Sequence, residues 1–188
     1  MANHVTASLR FERINEAGKE ILKSKTDRLE KYGENDSHGY HMGYLITDDL
    51  TTINRNTMIE EFGAKWAYAD YWDEDSINIV SAWDPCSTFV ESLVEEIAAV
   101  DPDVLAIHTY EDECYNFVGV DAYDSEGIYD CCRLDDEEIL EMMLEEVDGL
   151  RDVWDEEEEE WKDDGDLYLD NIHEVIDKWL YESEQSIV

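Results

Sequence analysis

The stretch that decides the fold runs from Lys65 to Pro102: KWAYADYW-DED-SINIVSAW-DP-CSTFVESLVEEIAAV-DP. Lys65 to Trp72 and Ser76 to Trp83 are aromatic and β-branched runs joined by Asp73-Glu74-Asp75, which reads as a hairpin. Asp84-Pro85 breaks the second strand. A helix follows, with Ser87 or Thr88 as its expected cap. Its apolar face is Phe89, Val90, Leu93, Val94 and Ile97, and Asp101-Pro102 ends it.

The flanks extend this unit in both directions. Upstream, Val5 to Ile14 alternates, with Val5, Ala7, Leu9, Phe11 and Arg13 on one side, as a half-buried strand does. Asn15 caps a helix whose stripe is Ala17, Ile21, Leu22, Leu29 and Tyr32. Gly33 to Gly39 is a polar loop, Tyr40 to Ile46 a short apolar piece, and Asp48 or Asp49 opens a helix that ends at Gly63. Downstream, Val104 to Tyr110, Tyr115 to Ala122 and Ile128 to Arg133 read as three strands with tight turns, the clearest at Asp124-Ser125-Glu126-Gly127. The first six main elements match the split β-α-β pattern of a ferredoxin-like domain. The expected fold is therefore α+β, with an antiparallel ferredoxin-like sheet over residues 1–133, helices on one face, and a helical insertion at 33–63.

Composition shifts at Leu134. Asp135 to Lys162 reads as one or two helices interrupted near Gly149, with Leu140, Met143, Leu144, Val147, Leu150, Trp154 and Trp161 on one face. Asp163-Asp164-Gly165-Asp166 breaks the chain, and Asp170 or Asn171 caps a last helix with Ile172, Val175, Ile176, Trp179 and Leu180 inward. Residues 134–188 form an acidic helical extension expected to pack on the sheet domain.

Charge follows the same division. The net charge is -38 over 188 residues. Residues 1–40 carry seven basic and seven acidic side chains, residues 41–133 three and 21, and residues 134–188 three and 23. Such imbalance destabilises a compact state by self-repulsion, so a partner that wants dense negative charge is the expected compensation. Hydrophobic residues make up 43% of the chain, with six Trp and eleven Tyr, so the sequence reads as a folded domain rather than an acidic tail. No apolar run approaches the ~20 residues that cross a bilayer, and the N-terminus has no signal-peptide pattern. A soluble cytoplasmic protein is expected, in the host cell if a phage encodes it. Like charge excludes direct contact with nucleic acid or an anionic membrane. The four cysteines (Cys86, Cys114, Cys131, Cys132) form no C-x-x-C pair and read as reduced thiols.

Several of these segments resemble a known family. Ala2-Asn3-His4-Val5-Thr6 resembles the start of the YubB-type ferredoxin-like proteins of phages and plasmids. Phe62-Gly63-Ala64-Lys65-Trp66 is similar to that family's Trp-Gly-Thr-Lys-Trp motif, and Ser81-Ala82-Trp83-Asp84-Pro85 to its Ser-Ala-Trp-Ser-Pro-Pro turn. Val118-Gly119 sits where the family has a hairpin glycine. The chain departs from the pattern at Ala64, Asp84 and Cys86, and segment 134–188 has no counterpart in it. The resemblance covers 1–133 and implies a ferredoxin-like fold and a mobile-element origin. It implies no agreed activity, and no functional residue carries over.

The strongest functional signal is the acidic surface as a mimic of nucleic acid. Asp135 to Lys162 holds fifteen acidic and two basic residues. As a continuous helix it would run ~42 Å at ~1.5 Å per residue, about one net charge per 3.2 Å, near the ~3.4 Å spacing of a single DNA strand. The expected contact charges are Glu156, Glu157, Glu158, Glu159 and Glu160 with Asp152, Asp155, Asp163 and Asp164, followed by Asp135, Asp136, Glu137 and Glu138. The partner implied is a basic nucleic-acid-binding host protein such as a restriction, CRISPR or other defence nuclease, with a homodimer left open. The plainer readings are a solvated face and adaptation to high salt. A near-equal use of Lys and Arg, seven and six, and the neutral first forty residues argue against salt adaptation.

Other chemistry has less behind it. Asp163-Asp164-Gly165-Asp166 and Asp73-Glu74-Asp75 offer oxygen ligands without EF-hand spacing. His38 and His41 lie far from Cys86 and Cys114, so no zinc spacing emerges, and His4 and His108 read as structural. No nucleophile elbow, H-E-x-x-H or phosphate loop is present, so no enzyme and no cofactor is expected. A metal-dependent enzyme and an acidic interaction module without mimicry stay as alternatives. The tryptophans read mainly as core, with an exposed anchor as the minority reading for each.

Overall fold

The computed structural model describes residues 3–34, 39–155, 158, 160–162 and 165–187. A six-stranded sheet organises the chain: β1 (His4–Arg13), β2 (Ala67–Trp72), β3 (Ser76–Ala82), β4 (Leu105–Asp112), β5 (Phe117–Asp124) and β6 (Gly127–Asp135). Its order is β2-β3-β1-β4-β5-β6, and every neighbouring pair is antiparallel. The alternation read in Val5 to Phe11 is the reason β1 can sit in the middle. Its odd residues are buried on one face, while Thr6 and Arg10 point to the other.

That first face is covered by α1 (Glu16–Gly33), α2 (Arg55–Phe62) and α3 (Ser87–Ala98). Leu22 and Leu29 of α1, Met58 and Phe62 of α2, and Phe89, Val90, Leu93, Val94 and Ile97 of α3 meet Leu9, Phe11, Ile77 and Ile79 in one core. Asn15 caps α1 as its side chain accepts the Gly18 N–H at 2.9 Å. Buried Asp101 accepts the Asn15 N–H at 2.5 Å, tying the end of α3 to the β1–α1 junction.

Three local readings need correction. Ser87 and Thr88 do not cap α3; Asp84 does, its Oδ1 accepting the Ser87 N–H at 2.9 Å. The helix expected from Asp48 or Asp49 to Gly63 is one short 3-10 turn, Leu50–Thr52, and then α2, which Asn54 caps; the apolar piece before it holds another 3-10 turn, Met42–Leu45. Asp49 opens only that 3-10 turn, its side chain accepting the Thr51 N–H at 3.0 Å. The last helix, α6 (Asp166–Ile187), starts before Asp170.

The helices of residues 1–133 share one face, and the C-terminal segment covers the other. Ile107, Val118, Val120 and Ala122, the residues of β4 and β5 that point away from α3, pack beneath residues beyond β6. α4 (Asp136–Glu146) contributes Ile139, Met143 and Leu144, and α6 contributes Ile172, Ile176 and Ile187. β4 and β5 are thus covered on both faces, while β6 is a largely exposed edge strand.

Residues 135–162 do not form the long helix that the charge-spacing estimate assumed. α4 ends at Glu146, Gly149 takes a left-handed φ of 82°, and α5 (Leu150–Val153) is a single turn. β7 (Trp154–Asp155) then pairs with β8 (Glu160–Trp161) as a small hairpin. The competing interaction is aromatic. Trp154 and Trp161 face each other across the hairpin with ring centroids 4.5 Å apart, whereas a helix through the intervening acidic run would stack like charges at i, i+4. Among the described residues no helix is long and apolar enough to cross a membrane.

Candidate interaction surface

The acidic residues expected to make contact fall into three groups. Asp135, the last residue of β6, is the N-cap of α4 and accepts the Glu138 N–H at 3.0 Å. Glu138 returns the bond, accepting the Asp135 N–H at 3.1 Å, so the two form a capping box. Asp136 and Glu137 complete the exposed first turn, where the helix dipole favours negative charge. Asp152, Asp155, Glu158 and Glu160 lie on α5 and the hairpin. Asp155 accepts the Glu158 N–H at 3.3 Å and stands 3.9 Å from Lys162. Glu156, Glu157, Glu159, Asp163 and Asp164 lie outside the described residues.

Folding adds Glu141 and Glu145 to the expected Glu137. Glu137, Glu141 and Glu145 recur every fourth residue and are exposed on one side of α4. With Arg151 and Trp154 they wall an open groove of about 780 Å³. The opposite side of α4 is fixed by Ile139 and Met143, both fully buried. The helical spacing 137–141–145 was the available signal.

The Lys65–Pro102 stretch builds a second feature at the edge of this surface. Trp83 and Cys86 both take left-handed backbone angles, φ 75° and 64°, in a turn of four residues without glycine. The Ser81 hydroxyl donates to the Asp84 carbonyl at 2.6 Å, and the Asp84 carboxylate caps α3, so the turn is held from both sides. Non-glycine residues in this region store strain, which collects where a side chain must be displayed. Here the side chain displayed is Trp83, 51% exposed, with the Lys65 ammonium 3.9 Å above its ring.

Behind Trp83 the same face of the sheet carries polar groups. Asp121 on β5 is fully buried and takes a bidentate pair of hydrogen bonds from Arg133 on β6, at 3.0 and 2.8 Å. Those bonds raise the guanidinium's pKa, and the two opposite charges offset each other. Tyr110 packs against Gly119, where a Cβ would meet its hydroxyl at 2.4 Å; only glycine leaves room for the ring. Burial, and then the Asp121 charge, push the Tyr110 hydroxyl's pKa up. His108 is fully buried and neither ring nitrogen has a hydrogen-bond partner. Burial brings its pKa down to about 3, overriding the Pro85 carbonyl nearby and keeping the ring neutral.

An open cavity of about 440 Å³ lies between these features, walled by Trp83, Asp84, Tyr110, Phe117, Arg133, Asp135 and Glu138 among others. The sequence reading placed Trp83 in the core; the structure displays it, and the Asp84-Pro85 strand break beside it was the signal. Trp154 and Trp161, by contrast, are half-buried against the α4–α6 core. Cys86 is buried, and burial pushes its thiol up to about 12; Cys131 is exposed while Cys132 packs beneath α6. Among the described residues no three His, Cys, Asp or Glu side chains converge to hold a metal ion. Comparison with family models, with curated proteins and with solved structures gave no match.

Proposed function

We propose that the chain is a stoichiometric inhibitor of phage or mobile-element origin that presents nucleic-acid-like charge to the cationic cleft of a host DNA- or RNA-binding defence protein. The observation that carries this reading is the Glu137–Glu141–Glu145 row. Successive turns of α4 hold it ~6 Å apart, on a helix pinned by buried Ile139 and Met143 and beside the acidic hairpin. Carboxylates on a fixed frame can take phosphate positions without ordering cost at binding. No catalytic role is assigned to the chain. The order β2-β3-β1-β4, with α1 and α3 on one face, supports a ferredoxin-like unit extended by β5 and β6, in keeping with the YubB-type resemblance. The defence target and the cytoplasmic setting rest on that resemblance.

The test is competitive capture. The immobilised chain, exposed to bacterial lysate at low salt, is expected to retain nucleic-acid-binding proteins. They should leave as salt rises, and a 20-bp duplex should displace them. Reversal of Glu137, Glu141, Glu145, Asp152 and Asp155 to Lys should abolish capture, while each single Gln or Asn change should matter little. A partner that stays bound while saturated with duplex would overturn mimicry and leave an acidic module that docks elsewhere on a basic protein.

A further inference from the structure

The cavity behind Trp83 is separate from the α4 carboxylate row, yet Asp135 and Glu138 at the start of α4 form part of its wall. Its chemistry is uneven in an informative way. Trp83, Tyr110 and Phe117 give it an aromatic lining, the last two with ring centroids 6.1 Å apart. Asp84, Asp135 and Glu138 add three carboxylates. Arg133, the one cation among the described residues of the wall, is spent on buried Asp121 through both bonds of its fork. With that pair cancelled, the cavity is an aromatic box with an anionic rim. Such a box holds organic cations through the ring faces and through charge together.

Two details fit a guanidinium or ammonium group on a flexible stem. Asp84, Asp135 and Glu138 each use an oxygen on a backbone N–H, and each carboxylate has a second oxygen to offer. Trp83 already carries the Lys65 ammonium on its ring, and Lys65 is not part of the cavity wall, so the indole stacks with a cation outside the cavity while forming the cavity's side. The volume is in the range of small-ligand pockets and exceeds what one side-chain head group needs.

We infer that this cavity is the receptor for one arginine or lysine side chain of the partner, seated between Trp83, Tyr110 and Phe117 and held by Asp84, Asp135 and Glu138. The inference deepens the reading above, from which it takes only that the partner is basic. It adds a short-range, shape-dependent contact to a surface that otherwise attracts through charge alone. Binding should therefore keep a component that salt does not remove.

The test uses the full chain and a small probe. Nα-acetyl-arginine methylamide is titrated into protein labelled at the tryptophan indoles, at constant ionic strength, and the indole N–H resonances are followed by NMR. The Trp83 signal, assigned by its loss in Trp83→Gly, should move saturably with a Kd of roughly 1–10 mM. The citrulline analogue has nearly the same shape without the charge and should leave it in place. Asp135→Asn with Glu138→Gln keeps both capping partners, because Asn caps as well as Asp and Gln serves in the box as Glu does. That double variant should weaken binding by about tenfold, the range expected when a cation loses two near carboxylates. A Trp83 signal that never saturates, one that moves equally with citrulline, or unchanged affinity in the double variant would overturn the receptor. If arginine seats here while duplex fails to displace the captured protein, the receptor stands and mimicry falls. The reverse pair of results removes the receptor alone.

Discussion

The two faces of the sheet are built from the same apolar side chains and differ in how charge surrounds them. Around α1 the basic residues are matched: Lys19 with Glu74, Lys23 with Asp27, Lys25 with Glu96, and Arg28 with Asp48. On the α4–α6 side, the segment from residue 134 onward carries 23 acidic side chains against Arg151, Lys162 and Lys178. The pairs that do form there act as ties. Arg10 of β1 reaches Glu184 of α6 at 3.2 Å, and Lys178 joins α6 to Glu146 of α4 at 2.6 Å. Exposed pairs stabilise little, so the comparison concerns repulsion left standing more than attraction gained. The surroundings of α1 have been relieved of like-charge repulsion, whereas the α4–α6 layer keeps it and is held by a smaller apolar core. The acidic layer is therefore the one expected to open first and to respond to salt.

The largest effect that can break this contrast comes from the cores themselves. Ile176→Ala and Leu93→Ala each delete a buried aliphatic side chain, one per layer, and each should cost about 2–5 kcal/mol. Hydrogen exchange separates them. Ile176→Ala should lower protection in α4 and α6 and leave β1 and β3 protected, because the α1–α3 core does not include it. Leu93→Ala should lower protection throughout. Equal loss everywhere in both variants would mean that the two layers open as one unit.

A second effect lies beneath the α3 face. His108 has a pKa of about 3 in the fold against 6.5 for a free imidazole. Between those values the unfolded chain binds the proton and the folded chain does not. Stability from this group is full above pH 6.5 and declines as pH falls toward 3. By pH 5 the loss should be roughly 2 kcal/mol. Carboxylate protonation relieves repulsion in the opposite direction, so the readout is the difference from His108→Leu across pH 7.5 to 5. That variant removes two unpartnered nitrogens and should keep the shared carboxylate response while lacking the His108 decline. Parallel curves would show that His108 finds a partner.

What the sequence disclosed follows from how local each signal is. The strands of residues 65–83, the Asn15 cap and the α3 stripe rest on period and side chain chemistry within a few residues, and all are present. The covering of the second sheet face was hidden. Val118, Val120 and Ala122 read as ordinary strand residues, and only the return of α6 across β5 gives them partners. Trp154 and Trp161 fit a helical stripe by spacing alone. Their contact across a hairpin is a tertiary choice that the pattern could not rank against the helix. The Trp83 cavity was illegible for the same reason, since its walls come from the α3 turn, β4, β5, β6 and α4. Asp84 carried a local clue, as a capping residue three positions before Ser87, although Ser87 and Thr88 matched the cap pattern as well.

The smallest effect sharpens the electrostatic half of the contrast. Glu137, Glu141 and Glu145 make two like-charge i, i+4 pairs on exposed α4, together opposing that helix by roughly 0.5–1 kcal/mol at low salt. Glu111 of β4 is buried in part beneath α6 and also faces a like charge there. Burial and then the Asp177 charge raise its carboxyl pKa. Screening acts within a Debye length of about 10 Å at 0.1 M salt, so these repulsions are the ones added salt removes. Raising NaCl should therefore increase amide protection in α4 and α6 and leave β1 and β3 nearly unchanged, because the charges around α1 are matched and screening weakens attraction and repulsion there alike. Glu141→Gln should take away much of the gain in α4, since it belongs to both pairs. A salt response of equal size in both layers would show that the repulsion is spread over the whole molecule. The α4 row would then have no special claim to be the surface a cationic cleft reads.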